Sequence, residues 1–172
     1  AIAVLLRSVM LGMKHVAPIM MRQRSGSIIN NGSIAGIRAG YSSSLIYGAA
    51  KAAVIHLSEC VAMQLGEHSV RVNTISPGGI ATGIFGKALG LSVEKAEQTA
   101  EAIKAGLAGL QPIPRAGLTD DIASAAVFLA SDESTFVNAH NLVVDGGVVG
   151  GRLWTPQQQA LKGLRDAFSV ES

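Results

Sequence analysis

The sequence predicts an α/β fold in which a parallel sheet is joined by crossover helices. Two short apolar segments, 27–31 and 70–76, are interpreted as buried strands. Each follows a longer segment, 2–22 or 45–65, in which apolar residues recur at helical spacing. Alternating helices and strands with short loops are typical of a parallel sheet, so this fold class is the first expectation.

The composition is that of one well-buried globular domain over residues 1–172. Hydrophobic residues make up 48% of the chain and charged residues 15%, which excludes a disordered protein. The formal net charge is +2 without a basic run, so nucleic acid is not an expected partner. The single cysteine, Cys60, excludes an internal disulfide and fits a cytoplasmic protein. We expect Cys60 to be buried, and the histidine spacing predicts no metal site.

The first segment, residues 1–21, is apolar but is interrupted at helical intervals by Arg7, Lys14 and His15. We expect no membrane span, because the segment is too short and too charged. We expect no signal peptide, because such a peptide would begin with a basic region. The chain opens without a methionine in the middle of a predicted helix, and we therefore expect its start to lie elsewhere.

The first helix is predicted over residues 2–22, and cations followed by Gly26 mark its end. The strand 27–31 follows and leads through a turn to Ser33. In open α/β sheets ligands bind outside the carboxyl ends of the strands, so Ser33 lies where chemistry is expected. The simpler interpretation, a serine that only shapes the turn, stays open.

The second helix is predicted over residues 45–65, with the serines 42–44 as candidates for its N-cap. Gly66 is the residue expected to end it in a left-handed conformation. Tyr47 and Lys51 lie four residues apart near the start of this helix, which places both side chains on one face.

A tyrosine, a lysine and a serine in this arrangement suit proton transfer to an alcohol oxygen. A free phenol is a poor acid–base catalyst near neutral pH because its unperturbed pKa is about 10. A fixed cation such as the Lys51 ammonium favours the phenolate form of a neighbouring tyrosine. A hydroxyl opposite, such as that of Ser33, can orient a carbonyl oxygen.

The second strand, residues 70–76, runs directly into a Pro-Gly turn, and a long insertion over residues 83–110 follows. The apolar residues of its first part are predicted to lie in a glycine-punctuated loop: Ile84, Phe85, Leu89 and Leu91. Ser92 is predicted to cap a short polar helix that ends near residue 105. Such an insertion is often a lid or substrate wall, and a mobile surface excursion is an equal alternative.

The last part of the chain holds one helix, one strand and a tail. Thr119 is predicted to cap the helix, whose first turn carries Asp120 and Asp121. A buried strand and turn follow at residues 141–147. Residues 151–172 form an amphipathic tail that we expect to pack on a partner subunit or over the cleft. Its apolar residues are Trp154, Leu161, Leu164 and Phe168.

Taken together, these motifs resemble the C-terminal two-thirds of a short-chain dehydrogenase/reductase, over roughly residues 4–148. The matches occur in family order: residues 26–30 leading to Ser33; Tyr47 with Lys51; Arg71, Val72 and Asn73 followed by Pro77, Gly78 and Thr82; and residues 142–147. The resemblance implies a Rossmann-like doubly wound parallel sheet. It also implies oxidation of an alcohol or reduction of a ketone with NAD or NADP as cofactor.

The resemblance implies a role for each matching residue. Tyr47 would be the general acid/base, Lys51 would assist it and bind the nicotinamide ribose, and Ser33 would hold the substrate oxygen. The residues that would position the nicotinamide carboxamide are Pro77, Gly78, Ile80 and Thr82.

The apolar residues after the second strand indicate the kind of substrate, and the resemblance implies the assembly. The substrate would be a fairly apolar secondary alcohol or ketone, bound against a wall formed by Ile84, Phe85, Leu89 and Leu91. Such enzymes are mostly tetramers or dimers, so we expect a homo-oligomer paired through the helices 2–22 and 45–65.

Two features depart from the family pattern. The glycine-rich phosphate turn and the residue that selects NAD or NADP would precede Ala1, so we expect an incomplete sheet that lacks the N-terminal βαβ units. Leu5 stands where the family has an Asn that helps to hold a water linked to the lysine. Asn138 and Ala139 replace the usual Thr-Gly, with less consequence. The rival hypothesis is therefore a catalytically inactive fragment or scaffold that cannot bind the dinucleotide alone.

Overall fold

The computed structural model describes residues 1–42 and 44–168 as an α/β fold with a parallel sheet. The strands are β1 (Gly26–Asn31), β2 (Val70–Pro77) and β3 (Asn141–Val144). They lie in the order β1-β2-β3, and both neighbouring pairs are parallel. The prediction of a parallel sheet is confirmed, and β2 is its central strand.

The first helix, α1 (Ser8–Gln23), continues a π-helical turn over Ala3–Arg7. It ends at Arg24, whose φ of 51° is left-handed. The prediction that Gly26 ends the helix is wrong, because Gly26 is the first residue of β1. A Cβ added to Gly26 would lie 2.6 Å from Met20 Sδ, so the Met20 side chain packs directly over this glycine.

The second helix, α2 (Leu45–Gly66), packs on the sheet and forms the core with it. The buried members of this core are Met13, Ile28, Ala62, Leu65, Val70 and Val72. The helix begins where predicted, with Ser44 Oγ accepting a hydrogen bond from Tyr47 N at 3.3 Å. Its predicted end is wrong: Gly66 is still helical, and the left-handed residue of the following turn is Ser69, with φ 59°.

The insertion after β2 is helical rather than a loop followed by one helix. Its first part is a short helix, α3 (Ile84–Ala88), and its second is α4 (Val93–Ala108), capped by Ser92 Oγ as predicted. The two helices meet at Gly86, where an added Cβ would lie 2.7 Å from Ala96 Cα. This contact joins the two parts of the insertion. The sequence pattern of the first part alone does not contain it and therefore predicted a loop.

The helix after the insertion is α5 (Thr119–Ala130), and its N-cap is Leu118 rather than the predicted Thr119. The Asp121 carboxylate accepts a hydrogen bond from Leu118 N at 2.8 Å. A carboxylate in the first turn thus satisfies a backbone donor that a capping hydroxyl would otherwise satisfy.

The last helix, α6 (Trp154–Ala167), lies on the surface. None of its residues is buried, and the Trp154 side chain is 73% exposed. The expectation that the tail packs on a partner or over the cleft therefore stays a prediction. Residues 169–172 of the predicted tail, like Ser43 of the predicted capping segment, lie outside the described residues.

Two helical stretches, Ala3–Gln23 and Leu45–Gly66, are long and apolar enough to cross a membrane by length and composition. The first has 21 residues, so the expectation that it is too short to span is wrong. Core helices of soluble proteins have the same length and composition, and α2 packs on β2 as such a helix does.

Candidate active site

The residues predicted to carry chemistry meet beyond the carboxyl ends of β1 and β2. Ser33 lies two residues after the last residue of β1, and Pro77 is the last residue of β2. The first turns of α2, with Tyr47 and Lys51, pack against the turn that contains Ser33. The fold therefore brings together residues from three separate segments of the chain.

Ser33 has an extended backbone and caps a 3₁₀ turn over Ile34–Gly36. Its Oγ accepts a hydrogen bond from Ala35 N at 3.2 Å. A hydroxyl has one donor and two acceptor positions, so the Ser33 proton stays available to a ligand oxygen. The serine is thus a turn residue and a possible donor at the same time, and the two interpretations are compatible.

Two glycines allow the Ser33 turn to touch α2. A Cβ added to Gly48 would lie 3.1 Å from Ala35 O, and one added to Gly36 would lie 2.6 Å from the Lys51 carbonyl carbon. Backbone contacts this short leave no room for a side chain. The turn is consequently held against the first two turns of α2, which carry the tyrosine and the lysine.

Tyr47 and Lys51 lie one helical turn apart, as their spacing predicts. The Lys51 Nζ atom is 5.7 Å from the centroid of the Tyr47 ring. The tyrosine is half-buried and the lysine is buried, with 7% of its surface exposed. A cation at this distance from an aromatic ring is within the range of a favourable cation–π contact.

The Lys51 ammonium is held by a backbone carbonyl rather than by a carboxylate. Its Nζ donates a hydrogen bond to Asn31 O at 2.7 Å. Among the described residues no acidic side chain forms an ion pair with it. Burial lowers the pKa of the Lys51 amine from its ordinary value, because the charged form is less well solvated inside the protein.

The Pro77–Gly78 turn passes very close to the end of β3. Gly78 N donates a hydrogen bond to Val144 O at 3.0 Å. A Cβ added to Gly78 would lie 2.6 Å from Asp145 Cβ and 2.7 Å from Asp145 Cα. Only a glycine fits at position 78, where the chain leaves β2. The hydrogen bond to Val144 and the contact with Asp145 hold the backbone of this turn against the end of β3.

The next residues of this turn present free hydrogen-bonding groups. Ile80 forms a parallel bridge with Gly117, made by Gly117 N to Gly79 O and by Ala81 N to Gly117 O. This bridge does not use the Ile80 amide or carbonyl. Thr82 Oγ1 accepts a hydrogen bond from Ile84 N at 3.4 Å, which leaves the hydroxyl proton free to donate.

The predicted substrate wall lies on α3 and just after it. Ile84 is 53% exposed and Leu89 80% exposed, while Phe85 is half-buried. Leu91, just before the cap of α4, is 40% exposed. The wall residues thus form an open apolar surface that directly follows Thr82, the last residue of the turn.

Two features near the site were not predicted. Arg115 and Asp121 form a bidentate ion pair, and Asp145 accepts hydrogen bonds from Gly147 N and Val149 N. The sequence contained one signal for the pair, an acidic residue in the first turn of a helix. The arginine partner precedes the helix and is brought to it by the loop geometry.

The prediction that Cys60 is buried is wrong, because it is exposed on α2. Its Sγ lies 3.7 Å from His56 Nε2, and His56 Nδ1 lies 3.2 Å from Glu59 Oε2. Over residues 1–42 and 44–168, no group of three His, Cys, Asp or Glu side chains could hold a metal ion.

The chain is similar in sequence to known oxidoreductases. A family model described as enoyl-(acyl carrier protein) reductase matches residues 1–149. Momilactone A synthase of Oryza sativa subsp. japonica is 41% identical over 138 residues, which are 80% of this chain and 48% of that protein. (+)-Borneol dehydrogenase 2 of Salvia officinalis is 40% identical over 142 residues, 82% of this chain and 50% of that protein. The chain spans about half the length of these curated relatives.

Comparison with solved structures also finds oxidoreductases. An oxidoreductase of the short-chain dehydrogenase/reductase family from Burkholderia thailandensis superposes with a TM-score of 0.79 at 27% identity, covering 93% of this chain and 59% of that one. Levodione reductase superposes with a TM-score of 0.74 at 34% identity, covering 88% and 57%. The fold is thus the Rossmann-like α/β class, present here as part of the full sheet. The chain belongs to the short-chain dehydrogenase/reductase family.

Proposed function

We propose that this chain carries the catalytic half of an NAD- or NADP-dependent oxidoreductase that interconverts a secondary alcohol and a ketone. The observation behind the proposal is the buried Lys51 ammonium beside the Tyr47 ring, with the Ser33 turn packed against the same part of α2. Membership of a family of dehydrogenases and reductases supports the general reaction class.

The three side chains would have different roles in proton transfer to the substrate oxygen. Tyr47 would donate its proton to the carbonyl oxygen during reduction and take it back during oxidation. The Ser33 hydroxyl would donate a hydrogen bond to the same oxygen and fix its position. Lys51, anchored to the end of β1 through Asn31 O, would supply a positive charge that favours the anionic form of the phenol. The bound nicotinamide would supply or accept the hydride.

The turn after β2 fits a nicotinamide carboxamide, which has both donors and an acceptor. The Ile80 amide and carbonyl lie outside the bridge with Gly117, and the Thr82 hydroxyl has a proton to donate. Gly78 lets the turn lie directly against Asp145, where a side chain would collide. Residues Pro77, Gly78, Ile80 and Thr82 would therefore hold the nicotinamide end of NAD or NADP, and Lys51 its ribose.

The proposed substrate is fairly apolar. The open surface of Ile84, Phe85 and Leu89 follows the nicotinamide turn directly and offers aliphatic and aromatic contacts. Two similar proteins are named for borneol and levodione, an alcohol and a ketone by their names. A ketone with few polar groups is accordingly the class of substrate to test first.

A second copy of the chain is the proposed partner, paired through α1 and α2. Both helices expose large apolar side chains where a single copy leaves them in water: Met10, Leu11, Val16 and Ile19 on α1, and Ile46 and Met63 on α2. Burying such a surface is favourable in proportion to its area.

The alternative function is an inactive fragment or scaffold that associates with another chain. The chain spans about half the length of its curated relatives. Within the described residues β1 pairs with β2 alone, so its other edge is unpaired, and an unpaired edge favours association with another chain. This alternative predicts a protein that binds no dinucleotide by itself.

A cofactor titration separates the two functions. The purified chain is titrated with NADH and with NADPH while the nicotinamide fluorescence is followed. The enzyme proposal predicts saturable binding that weakens roughly tenfold in Lys51→Met, because a charge-assisted contact is lost. Lys14→Met, which removes an exposed lysine of α1, is the matched control and should bind as the parent does. No binding by the parent chain would favour the inactive fragment.

A further inference from the structure

Arg115 and Asp121 form the best-defined ion pair in the described part of the chain. Arg115 Nη1 donates to Asp121 Oδ2 and Arg115 Nη2 donates to Asp121 Oδ1, each at 2.7 Å. The same carboxylate accepts from Leu118 N at 2.8 Å, and Arg115 Nη1 also donates to Ala116 O at 3.0 Å. Fork-like pairing of this kind fixes orientation as well as distance. It closes the loop from Arg115 to Leu118 onto the start of α5.

The closed loop holds Gly117 against the turn that we assign to the nicotinamide. Gly117 N donates to Gly79 O at 3.0 Å, and Ala81 N donates to Gly117 O at 2.9 Å. A Cβ added to Gly117 would lie 2.5 Å from Ile80 Cδ1 and 3.1 Å from Gly79 O. This loop therefore holds the backbone on either side of Ile80 through two backbone hydrogen bonds.

The residues just before this loop contact the turn after β3. Gln111 is buried, with 5% of its surface exposed, and its Nε2 donates to Arg115 O. Ile113 N donates to Gly146 O at 3.2 Å. A Cβ added to Gly146 would lie 3.3 Å from the Gln111 Cδ atom. The loop thus joins the turn after β2 to the turn after β3, with the ion pair at its outer end.

We infer that the Arg115–Asp121 pair is a positioning element for the nicotinamide: through Gly117 it fixes the Ile80 backbone that would bind the carboxamide. The inference rests on the proposed function. When the pair is removed, the loop and the Gly79–Ala81 backbone gain freedom. The carboxamide then loses its fixed partners, and the nicotinamide ring presents both faces to the substrate instead of one.

The exposure of the pair distinguishes a role in positioning the nicotinamide from a general contribution to stability. The Arg115 and Asp121 side chains are 53% and 30% exposed. Ion pairs exposed to this extent contribute little to the free energy of unfolding, because solvent screens the charges and the side chains lose freedom. Removing the pair should therefore change the turn far more than it changes the melting temperature.

The test compares Arg115→Met and Asp121→Asn with Arg115→Lys and with a control. Lys104→Met is the control, because it removes the exposed ion pair of Lys104 with Glu101 on α4, also in the segment between β2 and β3. The first readout, hydrogen exchange of the Ala81 amide, needs no activity. The second is the stereospecificity of hydride transfer from cofactor deuterated on one face of the nicotinamide.

We expect exchange at Ala81 to accelerate roughly tenfold or more in Arg115→Met and Asp121→Asn, without change in the exchange of β1 amides. Deuterium transfer from the disfavoured face should rise at least severalfold in the same two variants. Arg115→Lys should give intermediate values in both readouts, because lysine keeps the charge but cannot form the two parallel hydrogen bonds of the guanidinium. The control should match the parent in both readouts.

Each adverse outcome has a distinct meaning. Unchanged exchange at Ala81 in both variants overturns the inference whether or not the protein is active. Faster exchange with unchanged stereospecificity also overturns it, because the loosened turn then does not position the ring. A parent protein that transfers no hydride at all overturns the proposed function, and the nicotinamide role of the pair with it.

Discussion

Lys51 Nζ donates a hydrogen bond to Asn31 O at 2.7 Å, and this bond connects the first turns of α2 to the end of β1. The lysine is buried, and the carbonyl is its hydrogen-bond acceptor in the described structure. A charged group held in this way lowers the stability of the fold, because the charged form is desolvated without an acidic partner. Such an arrangement is expected where a charge serves a ligand rather than the fold.

Replacing Lys51 should therefore separate function from stability. We expect Lys51→Met to weaken cofactor binding while its melting temperature equals or exceeds that of the parent, since a buried charge is removed and the Asn31 carbonyl can bond to water. Asn31 is exposed, which makes this exchange possible. Differential scanning calorimetry of both proteins measures the effect. A fall of many degrees would show that the ammonium supports the fold.

The pH dependence of stability gives a second test of the same charge. Burial lowers the Lys51 pKa below the ordinary 10.5, so the unfolded chain binds more protons than the folded chain between the two values. The destabilising effect is complete below the folded pKa and disappears as the pH rises towards 10.5. Urea unfolding on the alkaline side should show a rise in unfolding free energy that is absent in Lys51→Met. Equal slopes in both proteins would contradict the burial argument.

Asp121 should act in the opposite direction, at acid pH. The hydrogen bonds from Arg115, and then from Leu118 N, lower the pKa of the Asp121 carboxyl from 3.8 to about 2. Its contribution to stability is therefore complete above 3.8 and is lost as the pH falls through about 2. The difference in unfolding free energy between the parent and Asp121→Asn should shrink over this window. A difference that stays constant with pH would refute the assigned pKa shift.

Glycine at position 78 should be essential to the turn after β2. An added methyl group would meet backbone and Cβ atoms of Asp145 at 2.6–2.7 Å, so the turn or the end of β3 must move. We expect Gly78→Ala to lower the unfolding free energy by about 1–3 kcal/mol, as overpacking does, and to weaken cofactor binding.

The matched control is Gly106→Ala in α4, where nothing lies within 4 Å of the added Cβ. Alanine is the better residue inside a helix, so this variant should gain about 0.5–1 kcal/mol. If both variants changed stability by the same amount and in the same direction, the close approach of Asp145 would not be the cause.

The sequence was sufficient for the features that depend on local pattern. Helical and strand periodicity predicted α1, α2, α4, α5 and the three strands, and their alternation predicted the parallel sheet. The spacing of Tyr47 and Lys51 predicted their common helix face. These properties are set by residues that are close in the chain, which is why a single sequence contains them.

The features that the sequence did not predict depend on contacts between residues that do not belong to the same helix or strand. The helix α3 is supported by the contact between Gly86 and Ala96, and the ion pair of Arg115 with Asp121 depends on how the loop folds back. The exposed position of Cys60 depends on which face of α2 the sheet covers. Apolar residues lie on most sides of α2, so the sequence pattern does not decide on which side of the helix Cys60 lies.

The most direct test of the central claim is the turnover of ketone reduction in Tyr47→Phe. Tyr41→Phe is the matched control, because it removes the other tyrosine hydroxyl, which donates to Val148 O. With NADH or NADPH and an apolar ketone, we expect kcat to fall about 10²–10⁴-fold in Tyr47→Phe, with an unchanged melting temperature, and to stay near the parent value in Tyr41→Phe. A Tyr47→Phe protein that reduces the ketone as fast as the parent would contradict the assignment of Tyr47 as the general acid/base.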